Sequence, residues 1–178
     1  GTAGYTAMLC VMELLKNNIQ PKKDVIFVSG ATGGVGSISV IILARMGFDV
    51  IALTGKEDKE TFLKDLGAKE VIFRKDFSTQ HKILEKQKWG GAIDTVGGQT
   101  LSKICASTQY NGVVTCCGNA ESLKFNSSVA PFILRNIRLI GIDSVYKEIK
   151  YRQEAWGQLS NLLNEEILKL ITTVIKLN

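Results

Sequence analysis

The sequence predicts a doubly wound α/β fold, a six-stranded parallel sheet with helices on both faces, and three observations lead to it. Short apolar, β-branched runs alternate with segments of helical periodicity along the chain. The runs are apolar throughout rather than every second residue, as parallel strands covered on both faces must be. The first run also leads straight into Val28-Ser29-Gly30-Ala31-Thr32-Gly33-Gly34-Val35-Gly36-Ser37, with four glycines in seven positions before a helical pattern.

The elements follow in order. A helix up to Lys16 precedes the sheet. Strands are expected at 24–28, 49–53, 70–73, 91–94, 112–116 and 137–142. Helices are expected at 34–46, 56–66, 80–87, 98–109 and from 147 to about 170. Parallel neighbours need crossovers, and right-handed crossovers distribute the helices over both faces. Only two prolines are present, Pro21 and Pro131, and neither interrupts these patterns.

Composition limits the possible functions. The chain has 178 residues, 45% of them hydrophobic and 22% charged, as expected of one globular domain. It opens in a helical pattern without an initiating methionine and stops on TTVIKLN, so it is expected to be part of a longer protein. No run reaches the roughly 20 apolar residues of a membrane span and no signal segment leads the chain, so a cytoplasmic protein is expected. Cys10, Cys105, Cys116 and Cys117 lie in apolar surroundings and are read as buried small hydrophobes in a reducing compartment. The net charge of +5 is dispersed without interleaved aromatics, which argues against nucleic acid and fits a mild attraction for anionic ligands such as nucleotide phosphates.

The glycine loop is the chief functional signal, because it follows a strand and opens a helix. Its spacing reads as Ala31-x-Gly33-x-x-Gly36, a dinucleotide-binding pattern, or as Gly30-x-x-x-Gly34-x-Gly36, the short-chain dehydrogenase pattern. In either case glycines allow a tight turn, a close approach of pyrophosphate to the main chain and tight helix–strand packing. At the end of the second strand, where an acid would hold the ribose 2′-hydroxyl of NAD, stand Thr54, Gly55 and Lys56. Lys56 can neutralise a 2′-phosphate, so NADPH is the expected cofactor, although Glu57 and Asp58 follow at once. Asp94 is expected to serve loop hydrogen bonds, and His81 to lie on the surface of a polar helix.

Taken together, GTAGYTAM, GATGGVGS, TGK, EKQKWGGAIDTVGG and PFILRNIRLIGIDSV resemble the medium-chain dehydrogenase/reductase superfamily, in its zinc-free quinone oxidoreductase branch and nearest the acryloyl-CoA reductase group. The resemblance covers nearly the whole chain. It implies that residues 1–178 are the dinucleotide-binding (Rossmann) domain of a two-domain enzyme whose GroES-like catalytic domain lies outside this chain. It further implies NADPH-dependent hydride transfer to an electron-poor alkene such as an enoyl thioester, with quinones as the alternative acceptor, and no metal. Separately, the sixth strand, 136–142, is expected at a sheet edge, where an apolar strand invites pairing with its copy, so a homodimer is expected. Position by position, the resemblance places Thr32, Gly33, Gly34 and Val35 on the pyrophosphate, and Thr54, Gly55 and Lys56 on the 2′-phosphate. Arg74 falls at the adenosine end, Asn119, Ile133 and Ser144 beside the nicotinamide, and Thr2 near the nicotinamide face. It identifies no catalytic residue in this chain.

Two competing readings remain at this stage. Tyr146-x-x-x-Lys150 matches the Tyr/Lys pair of short-chain dehydrogenases, yet Ile133 stands where their serine belongs. A non-catalytic NADPH-binding sensor module is the other, since a fold does not establish an activity.

Overall fold

The computed structural model describes residues 1–77 and 80–172. The chain enters through helix α1 (Thr2–Lys16) and then alternates β1 (Val25–Val28), α2 (Gly34–Arg45) and β2 (Asp49–Thr54). A 3-10 turn (Glu57–Lys59) leads into α3 (Glu60–Asp65) and β3 (Glu70–Phe73). There follow β4 (Trp89–Asp94), α4 (Gly98–Ser107), β5 (Thr108–Cys116), α5 (Ala130–Arg135), β6 (Arg138–Gly141), α6 (Ile149–Leu162) and α7 (Glu165–Ile171). The strands form one sheet in the order β3-β2-β1-β4-β5-β6, and every pairing is parallel. The predicted fold class and its six strands are therefore present.

Burial on both faces explains the unbroken apolar runs. In β1, Ile26 and Val28 point into one core with α1, α2 and α6, while Phe27 points into the other with α4. The first core holds Met8, Val11, Val40, Leu43, Ala155 and Leu159. In the second, Phe27 sits between Phe77 and Trp89, with ring centroids 5.4 and 4.3 Å away. Trp89 is 1% exposed and donates its indole N–H to the Ile104 carbonyl, so its one polar group is not left bare. The strand order reverses between β1 and β4, and the carboxyl ends of the strands diverge there into a crevice.

Four local expectations need correction. The helix expected at 80–87 does not form: residues 80–88 run without helix or strand. Main-chain groups at Glu85 and Lys88 are taken up from outside the segment. Glu85 N–H donates to the Ala106 carbonyl, Lys88 N–H to that of Ser107, and Arg135 reaches the Glu85 carbonyl at 2.6 Å. A short periodic run with these partners gains nothing from a helix of its own. The helix expected to 109 ends at Ser107, because β5 starts at Thr108 and pairs with Trp89. The helix expected from 147 to 170 is two helices, since Asn164 accepts a hydrogen bond from Ile167 N–H and starts a new one. Finally, α5 had no counterpart in the sequence reading. It has Pro131 in its first turn and ends on Asn136 in the left-handed region at φ 49°. The closing residues 173–178 lie outside the described residues. No described helix is long and apolar enough to cross a membrane.

Candidate functional site: the crevice at the sheet reversal

The glycine loop turns directly over the end of β1. Ser29 N–H donates to the Ile93 carbonyl and Ala31 N–H to that of Leu53, which pins the loop to both neighbouring strands. Gly30 has φ +57°, where a side chain is strained, and a Cβ there would overlap Thr95 Oγ1. At Gly36 a Cβ would overlap the Gly30 carbonyl oxygen and lie 2.8 Å from Ala31 Cα. Helix α2 can therefore start this close to the strand only with glycine at 36. The amides of Gly34, Val35 and Gly36 belong to its first turn and have no acceptor within the helix. They face the position where the helix dipole favours an anion.

Beneath the loop lies a buried polar lattice. Asp94 ends β4 with no exposed surface; Ser29 Oγ donates to its Oδ1 at 2.7 Å, and Gly97 N–H to its Oδ2 at 2.8 Å. Thr95 N–H in turn donates to Ser29 Oγ, and Thr95 Oγ1 to the Ser29 carbonyl. Burial pushes the Asp94 carboxyl up to about 6, against the opposing pull of these hydrogen bonds. The lattice ties the end of β1 to the end of β4, and so holds the two lips of the crevice at a set spacing. Asp94 thus serves the loop, as expected from the sequence.

A cavity of about 570 Å³ opens over the loop. Of the residues expected to hold a dinucleotide, Thr32, Gly33, Gly34, Val35, Gly55, Lys56 and Arg74 line it together. Thr54 lies underneath at 2% exposed: its hydroxyl meets Thr32 Oγ1 at 3.1 Å and accepts from Lys56 N–H at 3.1 Å. It supports the loop and the turn rather than walling the cavity. Arg74 N–H donates to the Thr54 carbonyl, and the guanidinium lies over Gly55, where a Cβ would be 3.3 Å from its Cζ. Lys56 and Arg74 are both exposed, and neither pairs with a carboxylate among the described residues.

A second cavity, of about 650 Å³, shares Cys117 and Gly118 with the first and continues along the ends of β4, β5 and β6. Asn119 lines it, with Leu101, Leu123, Phe125, Leu139 and Ile142 as apolar wall. Three candidates lie elsewhere. Ile133 is 73% exposed on α5, Ser144 follows Asp143 at the rim, and Thr2 is on the outer start of α1. None of the three lines either cavity.

Reading motifs alone missed Thr95, Val96, Cys117, Gly118 and Ala120, which complete the first cavity. The available signal was the glycine after each strand end, in DTVGG and CCGNA; a Cβ on Gly118 would overlap the Thr95 carbonyl oxygen. The cysteine reading also needs correction. Cys10 and Cys105 are buried, but Cys116 and Cys117 are half-buried and line the second cavity, because β5 ends at the crevice. All four are free thiols. A hydrogen bond from Cys10 holds the Cys117 thiol below its usual range. His81 is at the surface, though not in a helix, with Nδ1 2.8 Å from the Lys82 carbonyl. Tyr146 precedes α6 at 90% exposed and Lys150 pairs with Glu148 at 2.8 Å, so they do not form a short-chain dehydrogenase site. Among the described residues no three His, Cys, Asp or Glu side chains gather to hold a metal ion.

Free helix-opening amides, glycines whose Cβ atoms would fill the cradle, and two cations at one end fit a dinucleotide carrying an extra phosphate. Comparison with known proteins agrees with this geometry. The family model described as "Zinc-binding dehydrogenase" matches residues 34–165. The probable acrylyl-CoA reductase AcuI of Escherichia coli is 47% identical over 89% of this chain and 49% of its own length. The putative quinone oxidoreductase YhfP of Bacillus subtilis is 42% identical over 99% of this chain and 54% of its own. The crystal structure of that protein with NAD bound superposes with a TM-score of 0.90 at 44% identity, over 94% of this chain and 52% of the other. The YhdH oxidoreductase of Salmonella enterica, solved in complex with NADP, gives 0.93 at 45% identity, over 96% and 52%. The chain spans about half the length of the relatives it matches. By sequence, by fold and by the placement of its glycine loop, the chain belongs to the zinc-binding dehydrogenase family of the medium-chain dehydrogenase/reductase superfamily.

Proposed function

We propose that this chain is the NADPH-binding domain of a two-domain oxidoreductase that reduces an electron-poor alkene conjugated to a thioester, as in acryloyl-CoA. The observation that carries the cofactor reading is the pair Lys56 and Arg74, two cations without carboxylate partners among the described residues, flanking Gly55 at the far end of the glycine-loop cavity. The substrate class rests on the likeness to the E. coli reductase.

Each region of the crevice has a task in this reading. The amides of Gly34, Val35 and Gly36 receive the pyrophosphate, and Thr32 is held over them by Thr54. Lys56 and Arg74 neutralise the 2′-phosphate. Asn119 and the apolar wall of the second cavity orient the nicotinamide end and exclude water from it. When bound, the cofactor supplies hydride to the β-carbon of the alkene. Ile133, Ser144 and Thr2 keep a role beside the nicotinamide only if the catalytic domain folds against the same rim.

A quinone acceptor is the second reading, favoured by the apolar second cavity and the likeness to the B. subtilis protein. A cytoplasmic location and a homodimer complete the proposal. For the dimer, β6 is an edge strand, paired among the described residues only with β5, with exposed Leu134 nearby. A monomer mass that does not change with concentration would sink it. Titration of the full chain with NADPH and NADH tests the cofactor reading, with NADPH expected to bind the tighter. Equal affinities, or a Lys56→Ala variant that loses nothing, would overturn it. NADPH consumption by the two-domain protein with acryloyl-CoA but not with quinones would select the first acceptor, and tight binding without turnover of any enone would favour a sensor.

A further inference from the structure

The sequence sets an obstacle beside the proposed 2′-phosphate site. Glu57 and Asp58 directly follow Lys56, and a carboxylate there would repel a phosphate dianion. The fold brings a partner to Glu57 from eighteen residues away: Lys75 Nζ, just past β3, lies 2.7 Å from Glu57 Oε2. Lys75 is itself steadied over the Phe73 ring, 5.9 Å from its centroid. Asp58 has its own neighbour in Lys59 at 3.6 Å. Of the four cations near this corner, Lys59 and Lys75 are therefore spent on acids, and Lys56 and Arg74 are left for a ligand.

We infer that Lys75 is a specificity-positioning residue, one that touches no ligand and secures the preference for a 2′-phosphorylated dinucleotide by neutralising Glu57. The inference rests on the reading of Lys56 and Arg74 as a phosphate site. The Glu57–Lys75 pair is more than half exposed on both sides, so it contributes little to stability. Its effect falls on selectivity. Uncovering one carboxylate several ångströms from a dianion changes affinity by about fivefold even at the dielectric constant of water. The same change leaves a ligand without the 2′-phosphate nearly untouched.

The test is calorimetric titration of the full chain with 2′,5′-ADP and with 5′-AMP, for wild type, Lys75→Ala, Glu57→Gln and the double variant, with Lys56→Ala as control. Lys75→Ala is expected to weaken 2′,5′-ADP by about fivefold and 5′-AMP by less than about twofold. Glu57→Gln and the double variant should both bind 2′,5′-ADP about as well as wild type, because an exposed Lys75 released from its acid turns to solvent. The loss in Lys75→Ala should also shrink at high salt. If Lys75→Ala costs the same in the Glu57→Gln background, the lysine acts on the phosphate directly and the inference fails. If Glu57→Gln alone is as harmful as Lys75→Ala, the pair is a mechanical strap and the inference fails again. A wild type that does not distinguish the two ligands, with Lys56→Ala unchanged, overturns the phosphate site itself, and that result is distinct from the other two.

Discussion

At the glycine end of the crevice the wall is main chain lying on buried, hydrogen-bonded side chains, whereas at the Lys56 end it is two exposed cationic side chains over a bare glycine. In the proposed function the first end meets what every dinucleotide shares, a pyrophosphate, with amides whose position depends on the absence of Cβ atoms. In the same proposal the second end meets what differs between dinucleotides, with charge in water, where each contact is weak and adjustable. Changes at the first end should therefore damage fold and binding together. Changes at the second should alter selectivity and leave the fold intact.

The largest effect expected from this contrast concerns Asp94. Its folded pKa is raised from 3.8 to about 6, so the native state holds a proton that the unfolded chain has already released between those values. Stability is fully favoured below about pH 4 and falls as pH rises to about 6, by about 3 kcal/mol. Denaturant unfolding across that window should show the decline, and Asp94→Asn should flatten it. A wild-type profile equal to that of the variant would show that burial does not disfavour the carboxylate.

Next comes Gly36→Ala, whose Cβ meets main chain on two sides. It should cost about 1–3 kcal/mol of stability and weaken NADPH and NADH alike. A normal melting temperature with selective loss of NADPH would contradict the division between the two ends. Lys56→Ala should weaken NADPH by about tenfold, the value of one charged contact, with NADH and thermal stability unchanged. Smallest is Gly55→Ala. Its methyl would press on the Arg74 guanidinium, which can swing aside, so a loss of only about threefold for NADPH is expected in the same titration.

The two ends also differ in how far they could be read from the sequence. Thr32 to Val35 and Thr54 to Lys56 are contiguous, each at a strand end, and the cavity gathers all of them except Thr54, which supports it from below. Thr95 and Gly118 escaped notice because their partners are distant in the chain: the Thr95 hydroxyl packs on Gly30 and bonds the Ser29 carbonyl, and Gly118 packs on the Thr95 main chain. Ile133, Ser144 and Thr2 were placed by family resemblance and stand outside both cavities in this chain. The helix expected at 80–87 shows the limit of periodicity. Carbonyls at the end of α4 and the Arg135 guanidinium offer that segment better partners than its own turns, and neither is near it in the chain.

By itself, the sequence determined the sheet, the glycine cradle and the cationic corner. Apolar runs buried on both faces and glycines at a strand end act within a few residues of themselves. Only the tertiary structure decided which partner lies next to each acid. Lys75 neutralises Glu57, and Ser29 holds Asp94, across eighteen and 65 positions of sequence. Electrostatics depends on distance in space, and the pairing of β2 with β3 and of β1 with β4 sets that distance.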